Sequence, residues 1–473
     1  MNQRKKKRIT LILGPSLWIL AILLIPPEYF TFEARSAIGT ILWMGSWWVT
    51  LPVATGVTAF LPIAVNAFMN MVPMSDVLAN FGSETVILLL GAEFISITWE
   101  VTGLDKRISL KALCLIGPSL WQQIIVWFLV SAILSMFLPN AVVCAMLTPI
   151  ALSMLRFIGE GDLKTGKIAP IIVVCVAWGA GIGGMGTPLG GAMNLVAVSY
   201  FEEFTGNEYM YVSWFAHMIP LLAIVSIGNI LCLMTIKPKK CNLKGSKEYF
   251  HNLYAELPPM NRDEMVSFLM FLAVILLSFG RSLYAETLPW LKPAYVFLCV
   301  GMLGFVISLK NGDSILTWEM AEKKVFWGMI FMFAGGMAAG TLLTGTGATA
   351  SIANQMAKMN LHGGFETVIA FTAFTIVLSE ISNNTSAAAI AIPIVIGITE
   401  KLKLNPVPYI YTTIAAFNCA FMLPTTIRAI PVGMGLSPGY LMKKGALFTV
   451  TSILIISIAG YLMMQYWPYY SMV

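Results

Sequence analysis

Charge is what this chain has least of. Of its 473 residues, 11% are Asp, Glu, Lys or Arg, where a soluble globular domain carries about 25%. With 58% of residues hydrophobic, too little polar surface remains to cover a water-exposed fold. The chain is equally poor in metal-ligating groups. Its three histidines (217, 251 and 362) stand apart, and its seven cysteines are scattered, mostly through apolar runs, with no Cys-x-x-Cys spacing. That pattern argues against a zinc site and a disulfide framework. It also removes the His, Asp or Cys cluster that a membrane-embedded enzyme would place at mid-depth, so no enzymatic activity is expected. An isolated histidine beside a helix end reads as structural.

What is present is apolar length. Runs close to 20 residues recur from end to end, as at 9–25, 265–279 with its flanks, and 449–466. Each is long enough to cross a bilayer as a helix. The chain therefore reads as an all-α polytopic membrane protein of about 11 spans; a β-barrel would show weak alternation instead. Arg4-Lys5-Lys6-Lys7-Arg8 precedes the first run, and Pro26-Pro27-Glu28 follows it where a signal peptide would have small residues. This predicts a retained first span, a cytoplasmic N-terminus and a place in the cell membrane. The net charge of +6 comes from Lys and Arg gathered in loops, at 106–111, 156–167 and 237–262. That is the positive-inside pattern and not a nucleic-acid surface.

One short polar stretch occurs twice. Leu134-Ser135-Met136-Phe137-Leu138-Pro139-Asn140-Ala141 runs on to Pro149, and Leu378-Ser379-Glu380-Ile381-Ser382-Asn383-Asn384-Thr385 runs on to Pro393. Asn140 and Asn384 are 244 positions apart, as are Pro149 and Pro393, Gly91 and Gly335, and Gly103 and Gly347. A common offset implies a duplicated unit. The loop after Gly347 is less basic than the one after Gly103, which predicts copies of inverted topology. Each Asn cluster is flanked by apolar arms (121–138 and 141–157; 367–382 and 386–399) that start and finish on one side, forming a re-entrant hairpin. Residues 109–120, with Lys111, are expected as a helix at the inner interface. Each hairpin precedes a broken span. The first break, 179–191, holds seven glycines in thirteen residues; we expect unwound backbone here, against an alternative of helix packing through small residues. The second follows Pro424. The predicted organisation is an N-terminal span and outer loop (1–35), the scaffold part of repeat 1 (36–120), its transport part (121–236), a cytoplasmic loop (237–262), the scaffold part of repeat 2 (263–363) and its transport part (364–473).

Hairpin tips present helix ends to a cavity. Helix N-termini carry free N–H groups and partial positive charge, which suit an anion. Ser379, Ser382, Asn384 and Thr385, with backbone carbonyls, could hold a carboxylate or a small hard cation. Three acids fall in or near the membrane: Glu93, Glu100 and Glu380. Each is a functional candidate by position, and a buried structural partner is the alternative for the first two. Arg428 follows the second break in an uncharged stretch. It reads either as a carboxylate ligand or as a side chain snorkelling to the interface.

Taken together, these residues resemble the divalent-anion/sodium symporter family of di- and tricarboxylate and sulfate carriers, over about residues 36–466. That family places a Ser-Asn-Thr triplet at each hairpin tip. Here the second triplet stands as Asn383-Asn384-Thr385 and the first as Pro139-Asn140-Ala141. The Gly-rich break of the family is matched by Gly183-Gly184-Met185-Gly186-Thr187, but its Thr-Pro-Pro-Asn ending is Gly191-Ala192-Met193-Asn194. The second break keeps Met422-Leu423-Pro424 and then reads Ile427-Arg428-Ala429-Ile430. The resemblance implies substrate contacts from Asn140, Ala141, Asn194, Asn383, Asn384, Thr385, Thr426, Ile427 and Arg428. It implies one sodium site at Ser135, Pro139, Asn140 and Gly190, and another at Ser379, Ser382, Asn384 and Thr426. No other metal and no cofactor are expected, and the family's members are homodimers.

The expected function is secondary transport of a small dianion such as succinate, malate, fumarate or 2-oxoglutarate, with one body of each half moving against a scaffold. Pro139 removes a side-chain oxygen from the first sodium site, and Arg428 adds a fixed cation beside the second. Sodium coupling is therefore expected to be weak or absent, and dicarboxylate exchange is expected in its place. A conventional sodium-coupled dicarboxylate or sulfate symporter is the alternative.

Overall fold

The structure is a computed structural model describing residues 3–238, 243–310, 312–356, 362–381, 384–424 and 426–472. Helices make up nearly all of it, and among the described residues the β contacts amount to an isolated bridge between Ser308 and Ser314. The chain begins with α1 (Gln3–Leu24) and α2 (Phe32–Thr50). The Thr31 hydroxyl caps α2 by accepting the Ala34 N–H at 3.1 Å. Short helices at Thr55–Thr58, Leu61–Met69 and Met74–Ala79 follow. Then come α3 (Glu84–Thr102), capped by Ser83 and stopped by Gly103 at φ 81°, and α4 (Leu104–Leu113). The first hairpin is α5 (Leu120–Ser135) and α6 (Asn140–Phe157), followed by α7 (Ala169–Gly183), α8 (Ala192–Thr205) and α9 (Tyr211–Ile236).

A helix at Ser246–Ala255 leads into the second half. It comprises α10 (Arg262–Phe279), α11 (Pro293–Leu303), α12 (Trp327–Gly345) and α13 (Ala348–Met356). The second hairpin is α14 (Phe365–Ile381) and α15 (Asn384–Lys401), and α16 (Val407–Phe417) and α17 (Pro438–Tyr466) complete the chain. By length and composition, seven helices among the described residues are candidates to cross a membrane, with four shorter apolar helices beside them.

The repeat is visible in the packing. Helices α6 and α15 start at residues 140 and 384, the offset read from the sequence. The glycines at that offset do the same job in both halves. A methyl on Gly91 of α3 would come within 2.5 Å of the Leu298 nitrogen on α11. A methyl on Gly335 of α12 would come within 2.6 Å of the Ala59 Cα. Each lets a neighbouring backbone approach closely.

Two local expectations need correction. The interface helix expected at 109–120 is α4, ending at Leu113. Pro118 and Ser119 interrupt it, and Ser119 with Gln122 forms the capping box that starts α5. The first break is shorter than its glycine run. Helix α7 continues through Gly179, Gly181 and Gly183. A methyl on Gly179 would meet the Phe128 carbonyl at 2.5 Å, and one on Gly183 would meet the Ala132 carbonyl carbon at 2.6 Å. These glycines seat α5 against α7, as small-residue packing requires. Regular helix gives way only from Gly184, through 3₁₀ turns at Gly184–Gly186 and Pro188–Gly190.

Ion pairs link α3 and α4 to the second half. Lys292 meets Glu84 at 3.0 Å, Lys324 meets Glu100 at 2.6 Å, and Arg107 meets Glu264 at 2.9 Å. Glu100 is thus the partner of a lysine. Arg281 is buried and grips Glu208 with two nitrogens, at 2.8 and 2.9 Å, while also donating to the Leu288 and Pro289 carbonyls. His217 is structural. It stacks between Tyr411 and Tyr469, each centroid 4.5 Å away, and its ring nitrogens face the carbonyls of Ser213 and Tyr469.

Candidate functional site

The two tips meet at one cavity of about 480 Å³. Pro139, Asn140 and Ala141 line it from the first tip, and Asn384 and Thr385 from the second. Its other walls are Leu89 and Glu93 from α3, Met329 and Met332 from α12, Gly191 and Met193 at the head of α8, and Ile427 and Ile430 beyond the second break. Helices α6 and α15 begin at this cavity, and α8 begins at its edge. Pro139 precedes α6 and Gly191 precedes α8, and neither helix has a side-chain cap. The first N–H groups of a helix have no partner within it, so the uncapped end of α6 offers donors and partial positive charge to whatever occupies the cavity.

Oxygen atoms gather just behind both tips. At the second, the Ser379 hydroxyl lies 2.8 Å from Asn384 Oδ1 and 3.0 Å from the Phe417 carbonyl. One hydroxyl proton serves two acceptors, so an oxygen there has spare lone pairs. At the first, the Ser135 hydroxyl donates to the Ala180 carbonyl at 2.7 Å. Asn194 staples the break, its amide donating to the carbonyls of Gly184 (2.7 Å) and Thr187 (2.8 Å). The Thr187 hydroxyl donates to the Met136 carbonyl. A methyl on Gly190 would meet the Ser135 carbonyl oxygen at 2.7 Å, and one on Gly184 would meet the Gly190 carbonyl at 3.0 Å and Asn418 Oδ1 at 3.1 Å. Asn194 Oδ1 and Asn418 Oδ1 are both buried without a hydrogen-bond partner among the described residues. Such an acceptor-rich, donor-poor cluster has the chemistry of a hard-cation site.

Arg428 is buried at 1% exposure, so it does not snorkel. Its guanidinium donates to the Leu423 carbonyl at 2.7 Å and to the Ala420 carbonyl. Glu380 holds the same loop from the other side. Its carboxylate accepts the N–H groups of Phe421, Met422 (2.8 Å) and Leu423 (3.0 Å). The cation and the anion thus clamp one non-helical segment through its carbonyls and its amides. From this turn Ile427 and Ile430 line the cavity, while Arg428 stands outside its lining. Asn194 likewise sits behind the wall that Gly191 and Met193 form.

Of the residues expected at the site, Asn140, Ala141, Pro139, Asn384, Thr385 and Ile427 come together at the cavity, and Ser135, Ser379 and Gly190 lie behind it. Ser382 and Asn383 fall outside the described residues, and of Thr426 only the backbone is described. Sequence reasoning did not single out Asn418, although it is the one amide inside the apolar stretch that leads to the second break. Met329 and Met332 carry no local signal and enter only through the fold.

Known proteins resemble this chain over most of its length. The citrate transporter family (CitMHS) matches residues 40–416. A sodium-dependent dicarboxylate transporter, SdcS, of Staphylococcus saprophyticus is 24% identical over 470 residues, covering 96% of this chain and 90% of the relative. Its counterpart in Staphylococcus aureus is 26% identical over 488 residues, covering 98% and 94%. Among solved structures, the YdaH transporter of Alcanivorax borkumensis aligns with a TM-score of 0.52 at 11% identity, covering 91% of this chain and 98% of that one. MtrF of Neisseria gonorrhoeae aligns with 0.55 at 11%, covering 88% and 96%. At that identity these two report on the fold alone. The match across most of its length makes this chain a member of the citrate transporter family, a multi-pass membrane transporter and not an enzyme.

Proposed function

We propose that the chain carries small dianions, four- or five-carbon dicarboxylates such as succinate, malate, fumarate or 2-oxoglutarate. The observation that carries this reading is the meeting of α6 and α15 at one cavity, each beginning with an asparagine. Two helix N-termini match the two carboxylates of one substrate. The fit with relatives named as sodium-dependent dicarboxylate transporters supports the same class. Asn140, Asn384 and Thr385 would contact the substrate, with Ala141 and Ile427 shaping the cavity. In this reading the hairpins and broken spans move as a body against α3, α12 and their neighbours. Two copies would associate through that scaffold.

The coupling ion we infer is sodium. The expectation of sodium-independent exchange rests on Arg428 as an uncompensated cation beside the second tip. Its charge instead shares a loop with that of Glu380, and its Nε and Nη1 donate to carbonyls of that loop. What faces the tips is oxygen: Ser379, Asn384 and the Phe417 carbonyl at one, and the carbonyls around Gly184 and Gly190 with Asn418 at the other. Sodium bound there would offset the charge of a dianion. Dicarboxylate exchange remains the second reading, favoured by the loss of the triplet's side-chain oxygens at Pro139 and Ala141.

Uptake of labelled succinate into proteoliposomes separates these readings. Saturable uptake driven by a sodium gradient, and lost when choline replaces sodium, is the expected result. Uptake that ignores sodium but requires dicarboxylate inside would establish exchange. Absence of any saturable dicarboxylate uptake would overturn the substrate assignment.

A further inference from the structure

Glu93 is the exception in the cavity wall. Among the described residues that line the cavity, it is the one that ionises. It is 2% exposed, and its Oε1 has no hydrogen-bond partner among the described residues. The Phe326 backbone N–H reaches the carboxyl, and no cation among the described residues pairs with it. On α3 itself, Glu84 is held by Lys292 and Glu100 by Lys324. Tyr295 of α11 is bound to Glu84, and Cys299 of the same helix is exposed. On α10, Glu264 is engaged by Arg107 of α4, and its neighbours Arg262 and Asp263 stand at the same end of that helix. Helix α12 has no charged residue, α8 has Glu202 and Glu203 only near its far end, and Arg428 is turned to the carbonyls of Ala420 and Leu423.

An ionised carboxylate in this position would face a dianion across a largely apolar cavity. At low effective dielectric that repulsion is much stronger than in water, and burial without a partner disfavours the charged form further. A neutral carboxylic acid has the opposite effect. It carries one O–H donor, and a group kept protonated by an apolar site can donate to an anion.

We propose that Glu93 binds substrate in its protonated form and donates its hydrogen to a substrate carboxylate, so that binding each dianion requires one proton on the carrier. This rests on the dianion-carrier reading and adds a specificity-determining residue to it. The balance is simple: when the empty carrier has an ionised Glu93, one proton is taken from solvent as the dianion enters and is released when it leaves.

The test uses fumarate, whose carboxyls stay ionised between about pH 5.5 and about pH 8, so that only the carrier titrates across the range. In the wild type, KM for fumarate is expected to rise with pH, by up to about tenfold per unit above the titration of the site. In Glu93→Gln, which donates at every pH, KM is expected to hold near the wild type's acid limit throughout. In Glu93→Ala, which has no donor, KM should be high at every pH. A second measurement does not depend on turnover. Adding fumarate to weakly buffered, detergent-solubilised wild type, at a pH where its KM is rising and Glu93 of the empty carrier is therefore ionised, should withdraw about one proton per chain from solution, and Glu93→Gln should withdraw none. A KM in Glu93→Gln that retains the wild-type pH dependence would overturn the proposal, as would equal proton uptake by the two proteins. If the wild type neither binds nor transports fumarate, it is the carrier reading that fails.

Discussion

At the residue scale, the most informative side chains are those whose bonds point away from where their chemistry suggests. Arg428, expected to reach the substrate, instead grips with its guanidinium the loop that carries Ile427 toward the cavity. Each of these buried charges, Arg428 and Glu380, is satisfied by the backbone of one loop, and removing either leaves buried loop groups without a partner, at a cost of about 1–3 kcal/mol. Arg428→Ala and Glu380→Gln are therefore both expected to abolish transport and to lower the melting temperature in detergent. A variant that lost transport at unchanged melting temperature would return Arg428 to direct substrate contact. Asn418 makes the complementary case. Its Oδ1 is buried with no described donor, so Asn418→Ala should raise the half-saturating sodium concentration by about tenfold, or about 1.4 kcal/mol. Succinate uptake measured against sodium concentration reads this directly, and an unchanged sodium dependence would remove Asn418 from the ion site.

At the scale of elements, the glycines of α7 decide how two helices sit. Gly183→Ala would drive a methyl into the Ala132 backbone on α5, and overpacking of that kind costs about 1–3 kcal/mol. Around Gly45 of α2, the space a methyl would take has no neighbouring atom within 4 Å, so Gly45→Ala should leave stability unchanged or slightly raised. Thermal unfolding of the two variants, side by side, checks the contrast. The same glycines show what was legible in the sequence. A run of them announced an irregularity, but density alone could not tell close packing from unwinding, because both need a missing Cβ. The hairpin tips were easier to read. Their 244-residue offset, their asparagines and their short apolar arms are all local features. The second arms, expected at 141–157 and 386–399, begin at Asn140 and Asn384, and Asn140, Ala141, Asn384 and Thr385 share one cavity. Glu93 was visible as an acid in an apolar helix, yet its place in the cavity wall depends on how α3 packs against α12 and the tips. No local pattern encodes that, and the direction of the Arg428 side chain is hidden for the same reason.

At the scale of the molecule, the charged contacts are distributed unevenly. Lys292–Glu84, Lys324–Glu100 and Arg107–Glu264 join residues of the first half to residues of the second. Arg281–Glu208 instead ties the loop after α10 to the segment between α8 and α9. Arg281 is buried and bonded through three of its nitrogens, so Arg281→Met should lower the melting temperature markedly, in keeping with about 3 kcal/mol or more for an orphaned buried partner. Lys323→Met, which breaks an exposed i,i+4 pair with Glu319, should be close to silent. Equal shifts in the two variants would mean that burial is not what gives the Arg281 contact its weight.

The cavity wall has two owners. Its asparagines come from the hairpins, while its carboxyl comes from α3 on the other side. If the hairpins move against α3, as proposed, these polar groups part, so the complete set would exist only while the tips face α3. On the proposed role of Glu93 the site would act as a two-key lock: a solute satisfying the tips but offering nothing to Glu93 would enter and stall. Short monocarboxylates should accordingly slow uptake of labelled succinate without accumulating themselves.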